Sequence, residues 1–214
     1  MTMGDNGNGP LAPLVPLAYP LLLRPVVSQM AKSDPAASVL RSALSAAEAS
    51  CPGISLELTM AIIKKSELNV SLNEAILRLQ GTPDEAEASE FRTTKNDEAF
   101  RELSKKSAQL KRILSRIPDE IKDRKTFLET IKEIASTIKK VLDAVAAVSV
   151  QVSNPNARAL LEQRKREFVK YSKRFSTTLK EYFRDGMETP VYLSALYLIN
   201  QTNLIMLTVK DRCE

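Results

Sequence analysis

The sequence predicts an all-α protein: a short-helix N-terminal domain followed by a four-helix bundle. Apolar residues recur in steps of three and four over most of residues 98–210, the period of one helix face rather than of a strand. Isolated prolines, Pro52, Pro83, Pro118, Pro155 and Pro190, fall between the periodic stretches, where a residue without an amide hydrogen is tolerated. No apolar–polar alternation lasts long enough to build a sheet.

The elements follow in chain order. Residues 1–9 are polar and glycine-rich, which predicts disorder. Leu11–Val27 is apolar but interrupted by Pro13, Pro16, Pro20 and Pro25. That proline density argues against a membrane helix, and the lack of a basic residue before Arg24 argues against a signal peptide. Extended packing on a partner or on its own domain is expected. Asp34–Pro35 opens a helix to about Ala49, with Val39, Leu40, Ala43, Leu44 and Ala47 as its apolar positions and Pro52–Gly53 as its stop. Ser55 is expected to cap a second helix carrying Leu58, Ile62 and Ile63. Ser71 and Glu74 form a capping box for a third, with Leu72, Ala75, Ile76 and Leu79, ending near Gly81. Isolated helices under about 12–15 residues rarely persist, and small modules often complete their core by oligomerising. A dimerisation domain and a small appendage packed on the larger domain both fit this block.

Residues 82–96 are acidic and polar and read as a linker or a short connecting helix. Four long helices follow. Phe100, Leu103, Ser107, Leu110, Leu114 and Ile117 form one seam, and Phe127, Ile131, Ile134, Ile138, Val141, Val145 and Val148 a second. The third helix opens at Asn154–Pro155, carries Leu161, Phe168, Phe175 and Tyr182 on its inner face, and ends at Gly186. The last begins at Thr189–Pro190 and is apolar on most sides. Asn200, Gln201, Thr202 and Asn203 touch every face of that helix, which favours burial in a bundle over a tail anchor in lipid. The domain boundaries expected are a proline-rich N-terminal segment at 1–33, the dimerisation domain at 34–81, the linker at 82–96 and the bundle at 97–212.

Composition narrows the function. The chain has no histidine, two cysteines and six glycines, three of them within the first nine residues. This removes the commonest general base, most zinc sites and any glycine-rich phosphate loop. No enzyme, metal or cofactor is implied. Cys51, beside Pro52, reads as a small residue at a helix end, and Cys213 as part of a frayed tail. Sparse cysteines fit a reducing cytoplasm. Formal charge is −4 over residues 1–91 and +9 over residues 92–214.

That positive charge is patterned. Lys125, Lys132 and Lys139 recur every seven residues, as do Arg166, Lys173 and Lys180. Each trio therefore lies on one face of its helix. The polar break Ser153–Asn156 predicts that the two helices are antiparallel neighbours, and counting from it puts Lys132 level with Lys173. A cationic strip along an interhelical groove suits an acidic amphipathic helix or an anionic membrane surface. A solvated lysine face has the same pattern. Nucleic-acid binding is not expected, because aromatics are 5% of residues, tryptophan is absent and the phenylalanines occupy core positions.

The strings ILSRIPDEIKDR (113–124), TIKEIAS (130–136), EFVKYSK (167–173), TLKEYFRDG (178–186) and QTNLI (201–205) resemble the cerebral cavernous malformation three family, also called programmed cell death protein ten. The resemblance is dense over residues 98–210 and recognisable from about residue 36. It implies a non-catalytic, two-domain adaptor whose bundle is similar to focal adhesion targeting domains. The first domain would homodimerise, or pair with the C-terminal tail of a germinal-centre-class-three Ste20-like kinase, through Leu40, Ala43, Ile62 and Ile63. The second would bind leucine–aspartate helices such as those of paxillin, the scaffold striatin and a cavernous malformation partner protein. The family's groove residues fall on Lys132, Lys139, Lys173 and Lys180, with the guest leucines expected near Ala135, Val169 and Ser176. A phosphoinositide membrane is the alternative ligand for these lysines. Peripheral association with Golgi and plasma membranes is the matching expectation for location.

Overall fold

The computed structural model of the chain describes residues 11–30, 34–81 and 97–213. The expected disorder of residues 1–9 and the linker at 82–96 lie outside the described residues. Among the described residues all regular structure is helical. The chain forms two compact units that divide between Ile76 and Leu77.

The N-terminal unit begins with a helical run in place of the expected extended segment: α1 (Val15–Ala18), a π-helical stretch Tyr19–Leu23, and α2 (Arg24–Met30). The backbone shows how the prolines are accommodated. Pro16 sits in the first turn of α1, where its amide would have had no partner. Around Pro20 the ladder widens, and the Arg24 amide donates to the Tyr19 carbonyl five residues back. A wider turn moves the carbonyls away from the rings that would clash with them in an α-helix. Leu14, Leu17, Ala18, Leu21 and Val27 are buried.

Helix α3 (Pro35–Ser50) starts as expected, the Asp34 carboxylate accepting from the Ala36 amide at 2.8 Å. Helix α4 (Ile54–Lys65) is capped differently from the Ser55 expectation. Gly53 precedes it at φ 102°, and the Gly53 and Ser55 amides donate to the Glu48 carboxylate at 2.7 and 3.0 Å. The tight Cys51–Gly53 turn brings the last turn of α3 beside the start of α4, so a carboxylate from α3 does the capping while Ser55 is buried. Helix α5 (Leu72–Leu79) starts after Ser71, whose carbonyl accepts from the Ala75 amide at 2.9 Å.

The C-terminal unit is the four-helix bundle: α6 (Glu98–Leu114), a short α7 (Ile117–Glu120), α8 (Arg124–Gln151), α9 (Pro155–Asp185) and α10 (Glu188–Thr208). Asp97, Asp123 and Asn154 accept from the first free amides of α6, α8 and α9 at 2.9, 3.0 and 2.9 Å. Gly186 ends α9 at φ 74°, in the left-handed region expected of a glycine cap. The first seam is buried throughout. In the second, Phe127, Ile134, Val141, Val145 and Val148 are buried, and Ile131 and Ile138 border them half-buried. Gln201, Thr202 and Asn203 are buried within α10. No described helix is long and apolar enough to cross a membrane.

A π-helical turn, Val209–Cys213, follows α10. Cys213 is buried there, so it does not lie in a frayed tail; Val209 of the same turn is buried too, anchoring it. Cys51 caps α3 and is exposed. The tightly packed pairs are α6 with α8 and α9 with α10, whereas α8 and α9 approach each other over a much smaller part of their length.

Candidate functional site

Contacts on the flanks of α8 and α9 fix which sides face each other. Arg116 reaches Glu133 at 2.8 Å, and the Thr130 hydroxyl donates to Glu120, tying one flank of α8 to α7 and the residue before it. The Glu120 hydrogen bond is the main cause of a raised Arg116 pKa. On α9, Tyr171 stacks on Tyr197 of α10 with centroids 5.3 Å apart, and the Arg174 guanidinium lies 5.4 Å from the Tyr197 ring. At about 100° per residue, Leu128 and Ala135 lie on the flank of α8 opposite Glu133, and Val169 and Ser176 lie opposite Arg174. These flanks are the ones α8 and α9 turn toward each other.

Two cross-helix contacts set the register. Near the connection, Ser149 donates to Glu162 at 3.3 Å; at the other end, Phe127 and Phe183 pack with centroids 6.0 Å apart. The Tyr182 hydroxyl donates to the Ile121 carbonyl at 2.9 Å and braces that end. Interpolated between these contacts, Lys139 is level with Lys173 and Lys132 with Lys180, each pair to within about 3 Å at 1.5 Å rise per residue. Lys132 and Lys173 are offset by about 8 Å on the same scale, rather than level as counted from the break. Side-chain contacts, not the midpoint of the connection, determine the alignment. Ala135 falls level with Ser176.

Lys132, Lys139, Lys173 and Lys180 are all exposed, as are Ala135 and Ser176, and Val169 is half-buried. Lys132 pairs with Glu129 on its own helix at 2.8 Å. Lys139, Lys173 and Lys180 have no ion-pair partner among the described residues. An exposed pair is worth about 0–1 kcal/mol, so Glu129 is readily exchanged for another carboxylate. The arrangement is a shallow strip, small side chains along its middle and ammonium groups on both sides.

Two residues of this flank escaped the sequence reading. Leu128 is 40% exposed and Phe183 43% exposed, and the Arg124 guanidinium sits 5.9 Å from the Phe183 ring. The signal was present. Leu128 is out of phase with the Phe127–Ile131–Ile134 seam, and Phe183 with the Phe168–Phe175–Tyr182 row.

In the N-terminal unit, Leu40 and Ile62 are 44% and 49% exposed, Ala43 is exposed and Ile63 is half-buried. Val39 on α3 is also exposed, and Ile54 and Leu58 continue the Ile62 stripe at four-residue spacing along α4. Large branched side chains thus stay in water on both helices of this hairpin.

Family models match both parts of the chain. The model described as "Programmed cell death protein 10, dimerisation domain" matches residues 12–69, and "Programmed cell death protein 10, C-terminal" matches residues 70–162. A programmed cell death protein 10 homolog from Caenorhabditis elegans is 40% identical over 203 residues, covering 92% of this chain and 94% of the relative. The chain belongs to the programmed cell death protein 10 family. The exposed apolar side chains of α3 and α4 lie within the stretch that matches the family's dimerisation domain. The match to that family domain starts at residue 12, so it takes in the proline-bearing helices α1 and α2.

Proposed function

We propose that this member of the programmed cell death protein 10 family is a non-catalytic dimeric adaptor. Its N-terminal unit pairs chains through Leu40, Ala43, Ile62 and Ile63, with a second copy or the C-terminal tail of a Ste20-like kinase as the occupant. Its bundle binds an acidic amphipathic helix along the α8–α9 strip, of the leucine–aspartate kind found in paxillin. Striatin and a cavernous malformation partner protein are the scaffolds proposed for this domain. The carrying observation is the strip itself: Lys139 with Lys173 and Lys132 with Lys180 bracket the small pair Ala135 and Ser176, between two helices that pack loosely.

The chemistry divides the labour. Fully burying one leucine is worth about 1.5–3 kcal/mol, and an exposed ion pair about 0–1 kcal/mol. Guest leucines over Ala135, Val169 and Ser176 therefore set most of the affinity. The lysines set association rate, orientation and the preference for acidic partners. Calorimetric titration of an acidic leucine-rich peptide into the wild type and into Ala135→Asp tests the assignment. Loss of binding in the variant supports it, and equal binding removes the strip from consideration. An anionic phosphoinositide surface is the alternative ligand for the same lysines. Flotation with anionic vesicles in the presence of excess peptide separates the two: a shared site makes them compete.

A further inference from the structure

The α8–α9 strip continues past the residues assigned to it. Seven residues from Ala135 and from Ser176, toward the start of α8, stand Leu128 and Phe183, which the register also places level with each other. The strip therefore alternates. Val169 is followed by Lys139 and Lys173, then Ala135 and Ser176, then Lys132 and Lys180, then Leu128 and Phe183, with Arg124 against the Phe183 ring at 5.9 Å. Successive apolar tiers in the last two steps are about 10 Å apart, two turns of a guest helix at 1.5 Å per residue.

We propose that Leu128 and Phe183, with Arg124, form a second anchor that takes a large apolar side chain from the last turn of the docked acidic helix, two turns beyond the one over Ala135 and Ser176. The inference rests on the helix-docking reading above. Three observations carry it. Leu128 and Phe183 are 40% and 43% exposed, more open than Ile131, Ile138 and Val169, which are half-buried. The Phe183 ring is held from behind by Phe127, at 6.0 Å, so it offers a fixed face to a ligand. Arg124 covers part of that face on a flexible stem and can swing aside to meet a guest carboxylate.

Charge gives the direction. At the Phe183 end Arg124 and Lys180 have no ion-pair partner among the described residues, while Lys132 pairs with Glu129 at 2.8 Å. At the opposite end Glu162 accepts from Ser149 and pairs with Lys165 at 3.3 Å, so charge there is compensated locally. A helix carries its negative pole at its C-terminus, and that end belongs beside uncompensated cations. The guest therefore runs parallel to α9, its last turn over Leu128 and Phe183.

A mutant cycle tests this with full-length protein. The probe is an acidic amphipathic peptide of about 20 residues, long enough for about 30 Å of helix, with leucines seven apart and aspartates between them. It is titrated in three forms: unchanged, with the first-turn leucine made alanine, and with the last-turn leucine made alanine. The proteins are wild type, Leu128→Ser and Phe183→Ser. Leu128→Ser guards against misfolding, since Leu128 makes none of the ring contacts that involve Phe183. Each protein variant is expected to weaken the unchanged peptide about five-fold or more, the scale of burying a half-exposed apolar side chain. It is expected to leave the affinity of the last-turn alanine peptide unchanged. Equal losses for all three peptides overturn the anchor. Coupling to the first-turn leucine overturns the direction. If the unchanged peptide fails to bind wild-type protein, the helix-docking reading falls and takes this inference with it.

Discussion

The two candidate faces are built on opposite terms. On α3 and α4 the uncovered side chains are large and branched, and Leu40, Leu58 and Ile62 are each more than 40% exposed. Between α8 and α9 the uncovered middle is Ala135 and Ser176, with lysines alongside. The first face brings its own apolar bulk and needs a partner to cover it. The second supplies room and charge, and needs a partner that brings the leucines. The proposed roles, a persistent pairing surface and an exchangeable docking strip, match that difference.

Charge placed on the apolar face is expected to have the largest effect. Leu40→Asp with Ile62→Asp is expected to weaken self-association more than about 100-fold, since two leucine-sized burials are lost. Sedimentation is expected to show a monomer whose bundle keeps its helical signal. A full dimer would separate this face from the family's dimerisation function. Ile62 is preferred over Ile63 for the test because it is exposed, so the substitution disturbs no half-buried packing.

Backbone strain gives the next largest effect, one site in each unit. Gly53 and Gly186 have φ of 102° and 74°. A Cβ at Gly53 would meet Val15 at 3.6 Å, ordinary contact, and one at Gly186 would meet nothing within 4 Å. Alanine at either site is therefore expected to cost about 1–2 kcal/mol through conformation alone. Chemical denaturation checks this, and losses well beyond that range would mean that packing matters there after all.

Acid is expected to have the smallest effect and to reach both units through carboxylates at helix starts. Burial raises the Glu48 pKa, but the nearby Ser55 hydroxyl and the hydrogen bonds from the Gly53 and Ser55 amides outweigh it and hold the group below the usual carboxylate range. Asp123 is held below 3.8, chiefly by the Thr126 hydroxyl and amide. A lowered folded pKa means that each contribution is complete above the unfolded value and is lost as pH falls through the folded one. Stability is expected to decline below about pH 4.5, and Glu48→Gln to remove part of that decline. A variant with an unchanged acid limb would show that Glu48 does not hold the α3–α4 turn.

Much of this was legible in the sequence because it is periodic. The seams on α6 and α8, the Asn154-led start of α9 and the Gly186 stop all rest on spacing and local chemistry. What was missed depended on contacts distant along the chain. The proline-bearing segment before residue 30 is helical because one π-helical stretch absorbs Pro20, a backbone adjustment that composition does not reveal. Glu48 caps α4 from the preceding helix. The lysines of the strip were found from their seven-residue repeat, yet their pairing across it was offset, because Phe127–Phe183 and Ser149–Glu162 set the register. Leu128 and Phe183 were overlooked because each neighbours a core residue in sequence and was absorbed into its row.

We propose that the bundle reads an acidic helix along the α8–α9 strip. Titration of the acidic leucine-rich peptide against wild type and Lys132→Glu/Lys139→Glu across a range of salt decides this. The expected result is wild-type affinity that falls as salt rises, and at low salt a loss of about ten-fold or more in the variant, the scale of reversing two exposed charges. Equal affinity of the two proteins at every salt concentration would contradict the claim.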